Sequence, residues 1–166
     1  MRCGILCQLL WLWPFLSYNH ATPIWTVQED TRALISTIVN RIDELSFMQT
    51  VPSSQISNFD FIPTLQSVSS LLKMDEALVI YQKVLSSLVT IDMTQIINDL
   101  GDLRNLIHAM AESRGCPVLK ASGRGTIMNL SDILKVSNHT LAVVTLRRVQ
   151  KSLQDIQQQL DLSLRC

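Results

Sequence analysis

The fold is decided by the last long helical pattern in the chain, residues 141–162, LAVVTLRRVQKSLQDIQQQLDL. Apolar side chains recur there at intervals of three and four residues, which places them on one side of a helix. They are Ala142, Leu146, Val149, Leu153, Ile156 and Leu160, and Leu141, Val143 and Val144 widen the set at its beginning. Because such a helix is not stable alone, we expect the rest of the chain to supply helices that cover this side.

Residues 1–21 have the pattern of a secretory signal peptide. Arg2 provides a positive start, and a nearly continuous apolar run follows over 5–16. This run is too short to span a bilayer, which takes roughly 20 residues. We expect cleavage after Ala21 and one secreted domain over 22–166 that is not inserted in a membrane. An uncleaved signal anchor is the alternative.

The predicted mature chain has almost no net charge. Of the 14 basic and 14 acidic residues only Arg2 lies in the signal segment, so residues 22–166 carry a net charge of −1. This balance argues against nucleic acid and anionic membranes as partners. His108 and His139 belong to no nucleophile motif and no metal-ligand pair, so we expect no enzymatic activity, no metal and no cofactor.

Cys116 and Cys166 are the two cysteines that remain after signal removal. Two cysteines in a secreted chain allow one intramolecular pairing, so we expect a disulfide between them. An intermolecular bridge at the chain end is the alternative.

Three helices are predicted before the last one. They cover about 26–45, 74–88 and 92–112, and the final helix begins near Asn138. Gly115 is expected to cap the third helix. Capping-box patterns stand at Thr26 and Glu29 and, with aspartate in place of the hydroxyl residue, at Asp92 and Gln95.

The connections between these helices are long, short and long. This order favours an all-α, up-up-down-down four-helix bundle of the long-chain cytokine type, with up-down-up-down as the alternative. The first long connection holds an apolar cluster around Phe61 and Ile62. These side chains either hold the loop against the bundle or contact a partner.

Two sequons, at Asn129 and Asn138, are candidate glycosylation sites. Each asparagine could instead cap a helix.

Segments along the whole chain resemble the leptin family of long-chain helical cytokines. They are residues 10–14, 59–63, 73–75, 98–100, 152–155 and 159–163, together with the terminal cysteine. The resemblance implies a secreted hormone that is a monomer before it binds a leptin-receptor-like class I cytokine receptor ectodomain. It further implies signalling through receptor-bound kinases and regulation of energy balance. The pair Cys116 and Cys166 also fits the single disulfide of that family.

The resemblance implies two receptor-binding surfaces. The main surface uses the first and third helices, where the matching residues are Asp30, Thr37, Arg41, Gln95 and Leu106. A second contact, to the immunoglobulin-like domain of the receptor, is matched by Asp60, Phe61, Ile62 and Thr140. The chain departs from the family pattern at Ala33, Ser36, Gly101, Asp102, Asn105, Leu141 and Gln158.

Two other functions remain open from the sequence. A secreted helical carrier of lipid or small apolar ligands would need an open groove or a cavity. A cytokine-fold protein that has lost receptor activity would account for the substituted interface positions.

Overall fold

The computed structural model describes residues 24–49, 62–63, 70–88, 91–117, 138–160 and 166. Within these ranges lie the four helices α1 (Ile24–Asp43), α2 (Leu71–Ser86), α3 (Thr94–Ser113) and α4 (Asn138–Leu160). A short 3-10 helix, Ser46–Gln49, follows α1. The predicted signal segment and most of the two long connections lie outside the described residues. No described helix has the length and apolarity that crossing a membrane requires.

The first two helices begin earlier than the sequence pattern predicts. α1 begins at Ile24, so Thr26 lies inside the helix and the predicted capping box there is wrong. A threonine hydroxyl caps only from the residue that precedes the first helical turn. α2 begins at Leu71 because the Ser70 hydroxyl caps it and accepts a hydrogen bond from the Lys73 amide at 3.4 Å.

The predicted capping box at Asp92 and Gln95 is wrong, because α3 begins at Thr94 with Met93 as its N-cap and without a side-chain hydrogen bond at that cap. Asp92 Oδ1 accepts a hydrogen bond from the Thr94 amide at 3.0 Å. Hydrogen bonds from the Thr94 hydroxyl and amide lower the pKa of the Asp92 carboxyl. The Gln95 side chain does not reach back toward this cap, because its amide donates to Asp99 Oδ1 at 2.9 Å.

The end of α3 confirms the predicted glycine cap. Gly115 has a φ of 68°, the left-handed region that glycine enters without steric cost. Its amide donates to the Glu112 carbonyl at 3.0 Å, and the Cys116 amide donates to the Ala111 carbonyl at 2.9 Å. This pair of bonds is a Schellman motif, and it turns the chain so that Cys116 leaves the helix directly.

The helices pack in a closed ring in which α1 and α2 each lie between α3 and α4. Neighbours run antiparallel: Asp75 near the start of α2 contacts His108 late in α3, whereas Gln82 contacts Ile97 near the start of α3. The pairs α1/α2 and α3/α4 therefore lie across the diagonals and run parallel. This is the predicted up-up-down-down bundle, and the alternative topology, in which α1 would pack on α2, is excluded.

The apolar side of α4 forms the centre of the core. All nine apolar residues predicted for it are at most 3% exposed. They pack against an isoleucine-rich side of α1 and against α2 and α3. From α1 the buried residues are Val27, Thr31, Ile35, Ile38 and Ile42. The other helices therefore cover the whole apolar side of α4, as expected for a structural core.

Two points of the first long connection are held by α4. The Arg147 guanidinium donates to the Met48 carbonyl at 3.3 Å, and the Arg148 guanidinium donates to the Ile62 carbonyl. The Tyr81 hydroxyl donates to the Pro63 carbonyl at 2.6 Å. Met48, which follows α1, and the pair Ile62 and Pro63 in the middle of the connection are thereby attached to α2 and α4.

The predicted disulfide is confirmed. Cys116 and Cys166 are bonded, with their Cα atoms 5.5 Å apart and a sequence separation of 50. The bond joins the end of α3 to the last residue of the chain.

Candidate functional site

The exposed side of α1 and α3 is the candidate main surface. These two helices pack directly on each other over much of their length. Asp30, Thr37 and Arg41 are spaced so that they share one side of α1, and Gln95 and Leu106 share one side of α3. Because the helices are neighbours, the five residues predicted for a binding surface lie along one strip of the bundle. Eleven residues of α3 cover about 17 Å of that strip.

Arg41 and Gln95 meet at a single carboxylate, Asp99. The Arg41 guanidinium forms a salt bridge with Asp99 Oδ2, and the Gln95 amide donates to Asp99 Oδ1 at 2.9 Å. The Asp99 side chain is only 8% exposed, whereas that of Arg41 is 38% exposed. Arg41 and Gln95 therefore both bind a buried carboxylate, which connects α1 to α3.

The other three residues of the strip differ in exposure. Asp30 and Thr37 are exposed, and Leu106 is half-buried and packs against the core. The Thr37 hydroxyl donates to the Ala33 carbonyl of its own helix at 2.9 Å, so it offers a partner its oxygen lone pairs and its methyl group.

The second predicted surface is only partly described. Asp60 and Phe61 lie outside the described residues. Thr140 is half-buried in the first turn of α4. Ile62 is 1% exposed and belongs to the core, so its side chain holds the loop against the bundle and is not open to a partner.

A buried phenol fixes the segment beside Ile62. Besides donating to Pro63, the Tyr81 hydroxyl lies 2.7 Å from the Ser152 hydroxyl. Burial raises the pKa of Tyr81 to about 12 because it disfavours the charged phenolate. Residues 60 and 61 directly precede this anchored point in the sequence.

Of the two sequons, the structure describes one. Asn138 is the first residue of α4 and is half-buried, while Asn129 lies outside the described residues. The neighbouring His139 ring packs edge-on against Phe47, with ring centroids 5.5 Å apart. Glycosylation at either asparagine stays a prediction.

The sequence analysis did not identify a buried ionic group between α2 and α3. Asp75 is fully buried and accepts from Arg104 Nε at 2.8 Å and lies 3.0 Å from His108 Nε2, both at Oδ1. Arg104 also donates to the Gln82 side chain at 3.2 Å. The spacing of Arg104 and His108, one turn apart, is a signal that could have shown they share a partner. The group lies away from the α1/α3 strip and links two helices of the bundle.

The up-up-down-down bundle, its disulfide and the polar strip across α1 and α3 together define a long-chain helical cytokine. The family model for leptin matches residues 23–166. The chain is 49% identical to leptin from Canis lupus familiaris and to leptin from Felis catus, and 47% identical to leptin from Homo sapiens. In each comparison both chains are covered over their full length. The chain therefore belongs to the leptin family, whose members are hormones and not enzymes.

Proposed function

We propose that this leptin-family hormone is secreted and binds, as a monomer, the ectodomain of a leptin-receptor-like class I cytokine receptor. Clustering of receptor chains then activates the kinases bound to them, and the output is regulation of energy balance. Full-length identity of 47–49% to curated leptins is the observation that carries the proposal. The mechanism needs complementary surfaces and no bond chemistry.

The main receptor contact is the strip formed by Asp30, Thr37, Arg41, Gln95 and Leu106. Its support is the direct packing of α1 on α3, which places residues from two distant parts of the chain on one surface. Charged and amide groups at a half-buried site give specificity, and the apolar Leu106 gives a contact that excludes water.

The test is a titration of a leptin-receptor ectodomain with Arg41→Ala and Asp30→Ala. We expect each variant to lower affinity by about tenfold, as removal of a contact worth about 1.4 kcal/mol does. Lys83→Ala is the matched control, because Lys83 is an exposed cation on α2, which is not part of the strip. Helical content measured by circular dichroism should be unchanged in all three. Wild-type affinity in both strip variants would refute this assignment of the main surface.

The second contact is assigned to Asp60, Phe61 and Thr140. Its support is the anchoring of Ile62 and Pro63 to α4 and α2, since Asp60 and Phe61 directly precede these anchored residues in the sequence. Ile62 acts as the anchor of this segment. We expect a variant with Asp60→Ala and Phe61→Ala to bind the receptor with its affinity largely kept and to lose most signalling in receptor-expressing cells. Full signalling by this variant would show that Asp60 and Phe61 do not belong to the second contact.

Secretion and glycosylation are tested on protein collected from the medium of expressing mammalian cells. A mature chain beginning at residue 22 and a mass decrease on treatment with an N-glycosidase are the expected results. A chain that begins at Met1 contradicts cleavage, and an unchanged mass contradicts occupancy of Asn129 and Asn138.

A further inference from the structure

We propose that a glycan at Asn138 converts this hormone from an agonist of its receptor into an antagonist, because it covers the second receptor contact at Thr140 and leaves the main surface open. The inference rests on the proposed function, since it assigns a regulation to one of the two proposed contacts. Its basis is that residues 138–140 are both a glycosylation signal and part of that contact.

Thr140 takes part in the modification before folding and in binding afterwards. A glycosylation signal needs a hydroxyl residue two positions after the asparagine, and Thr140 supplies it. The donor is an oligosaccharide carried on a lipid pyrophosphate. The Asn138 side-chain nitrogen bonds to C1 of the first sugar and gives up one proton, while the C1–O bond breaks and the lipid pyrophosphate leaves with the bonding electron pair.

The first turn of α4 holds the modified residue and the contact residue close together. Asn138 is the first residue of that helix, and both it and Thr140 are half-buried. Because they are two residues apart on a helix, their Cα atoms are separated by about 5 Å. A glycan is bulky and hydrated, whereas a receptor contact forms by close packing that excludes water. A sugar chain at Asn138 therefore occupies the space that a receptor domain needs in order to reach Thr140.

The packing around this turn keeps the glycan beside the contact. The His139 ring packs edge-on against Phe47, with ring centroids 5.5 Å apart. Leu141, on the other side of Thr140 in sequence, is fully buried in the core. Moving Asn138 away from the contact would unpack these side chains, so the glycan and Thr140 stay together in the folded bundle.

The main surface lies on a different side of α1 from α4. Arg41, part of that surface, forms its salt bridge with Asp99 of α3. Asp43 is two residues later and about 200° further around the helix, and it accepts a hydrogen bond from the Gln150 side chain of α4 at 2.6 Å. The body of α1 thus separates α4 from the strip, and binding through the strip persists when the start of α4 carries a glycan.

Loss of the second contact alone changes the signal and not the occupancy of the receptor. Receptor clustering needs both contacts, so a glycosylated molecule fills the main site and excludes unmodified hormone from it. The fraction of Asn138 that is glycosylated in the secreting cell then sets the ratio of agonist to antagonist.

The experiment compares glycoforms of the Asn129→Gln variant, in which Asn138 is the remaining sequon. The protein is secreted from mammalian cells that make only high-mannose glycans, and its occupancy is measured by intact mass. Part of the glycosylated fraction is trimmed by an endoglycosidase to a single sugar. Asn138→Gln in the same background is the unglycosylated control. Each form is titrated against a leptin-receptor ectodomain and assayed for signalling, alone and in competition with the control.

The intact glycoform should bind the ectodomain within about threefold of the control, lose most of its signalling and inhibit the control in competition. Trimming should restore signalling, because it removes the bulk and leaves the polypeptide unchanged, and the trimmed form is the reference where Asn138→Gln does not fold.

Three results overturn the inference: an unoccupied Asn138 in the secreted protein, full signalling by the intact glycoform, or a parallel loss of its affinity and signalling. Absence of binding by both the control and the trimmed form overturns the proposed function itself.

Discussion

The phenolic oxygen of Tyr81 lies 2.7 Å from Oγ of Ser152, which joins α2 to α4 inside the bundle. The same oxygen lies 2.6 Å from the carbonyl of Pro63, within the first long connection. One buried hydroxyl therefore links three parts of the chain. Asp60 and Phe61, which are predicted for the second receptor contact, precede one of these parts in the sequence.

Tyr81→Phe should lower the free energy of unfolding by about 1–3 kcal/mol, because it leaves buried polar partners without a hydrogen bond. Chemical denaturation is the measurement. Ser152→Ala should cost less, since the phenol then keeps its bond to Pro63. The double variant should lose less than the sum of the two single losses, and strict additivity would show that the two hydroxyls are not coupled.

Alkaline pH should weaken the fold through Tyr81. Burial raises the pKa of this phenol from 10.0 to about 12. Because the folded state holds the proton more tightly, the contribution to stability is complete below about pH 10 and is lost as the pH rises toward 12. At the end of this titration the free energy of unfolding has fallen by roughly 3 kcal/mol.

A chain that begins at residue 22 contains Tyr81 as its single tyrosine, which makes this titration direct. Near-ultraviolet absorbance of the phenolate should show one transition near pH 12. Tyr81→Phe is the control, and it should remove both the absorbance change and this component of the alkaline destabilisation. A transition at the ordinary tyrosine pKa of about 10 contradicts the prediction.

Arg104→Ala should lower the free energy of unfolding by about 3 kcal/mol. It removes the cation that faces the fully buried Asp75 carboxylate, and an uncompensated buried charge is strongly destabilising. Lys83→Ala, the loss of an exposed cation on α2, should stay within about 0.5 kcal/mol of the wild type. Thermal or urea unfolding distinguishes the two variants. Equally small effects of both would show that His108 alone suffices as a partner of the Asp75 carboxylate.

Thr145→Val should raise the free energy of unfolding by about 1 kcal/mol. Thr145 is fully buried, and its hydroxyl has no hydrogen-bond partner among the described residues. Replacing an unsatisfied hydroxyl with a methyl group of similar size removes a desolvation cost.

Thr31→Val provides the matched control for Thr145→Val. The Thr31 hydroxyl is equally buried but donates to the Val27 carbonyl at 2.6 Å, so its loss should not stabilise the protein. Equal effects of the two substitutions in urea unfolding would contradict the argument.

Replacing Cys116 and Cys166 with serine should lower the free energy of unfolding by about 4 kcal/mol if loop-closure entropy dominates. The estimate follows from the 50-residue separation of the bonded cysteines. Comparison with the reduced wild type is the control, because both should unfold at a similar denaturant concentration. An oxidised wild type no more stable than the serine variant would refute the entropic account.

Periodicity predicted the core because apolar spacing is a local property of the chain. Each of the nine apolar positions assigned to α4 is buried, and the paired cysteines form the expected bond. Gly101 shows the limit of local reasoning. A Cβ there would lie 3.2 Å from the Gln82 amide nitrogen, so this glycine accommodates a side chain from another helix. No pattern within α3 specifies that approach.

The predicted main surface illustrates the same limit. The packing of α1 against α3 followed from the expected topology, and resemblance supplied the residues to place on it. The charge of Asp99 favours exposure, so the sequence pattern alone does not predict that this side chain is buried. Its burial depends on donors from α1 and from the preceding turn of α3, which meet only in the folded bundle. The Asp75 group escaped prediction for the same reason.

The bond between Cys116 and Cys166 joins the end of α3 to a residue beyond the end of α4. It also closes a covalent ring that contains residues 118–137 and the whole of α4. A protease cut at any single peptide bond within that ring leaves the two fragments as one molecule until the disulfide is reduced. A nicked hormone would then keep both halves of its bundle, and with them the α1/α3 strip, so its circulating lifetime and its activity need not end at the same cleavage.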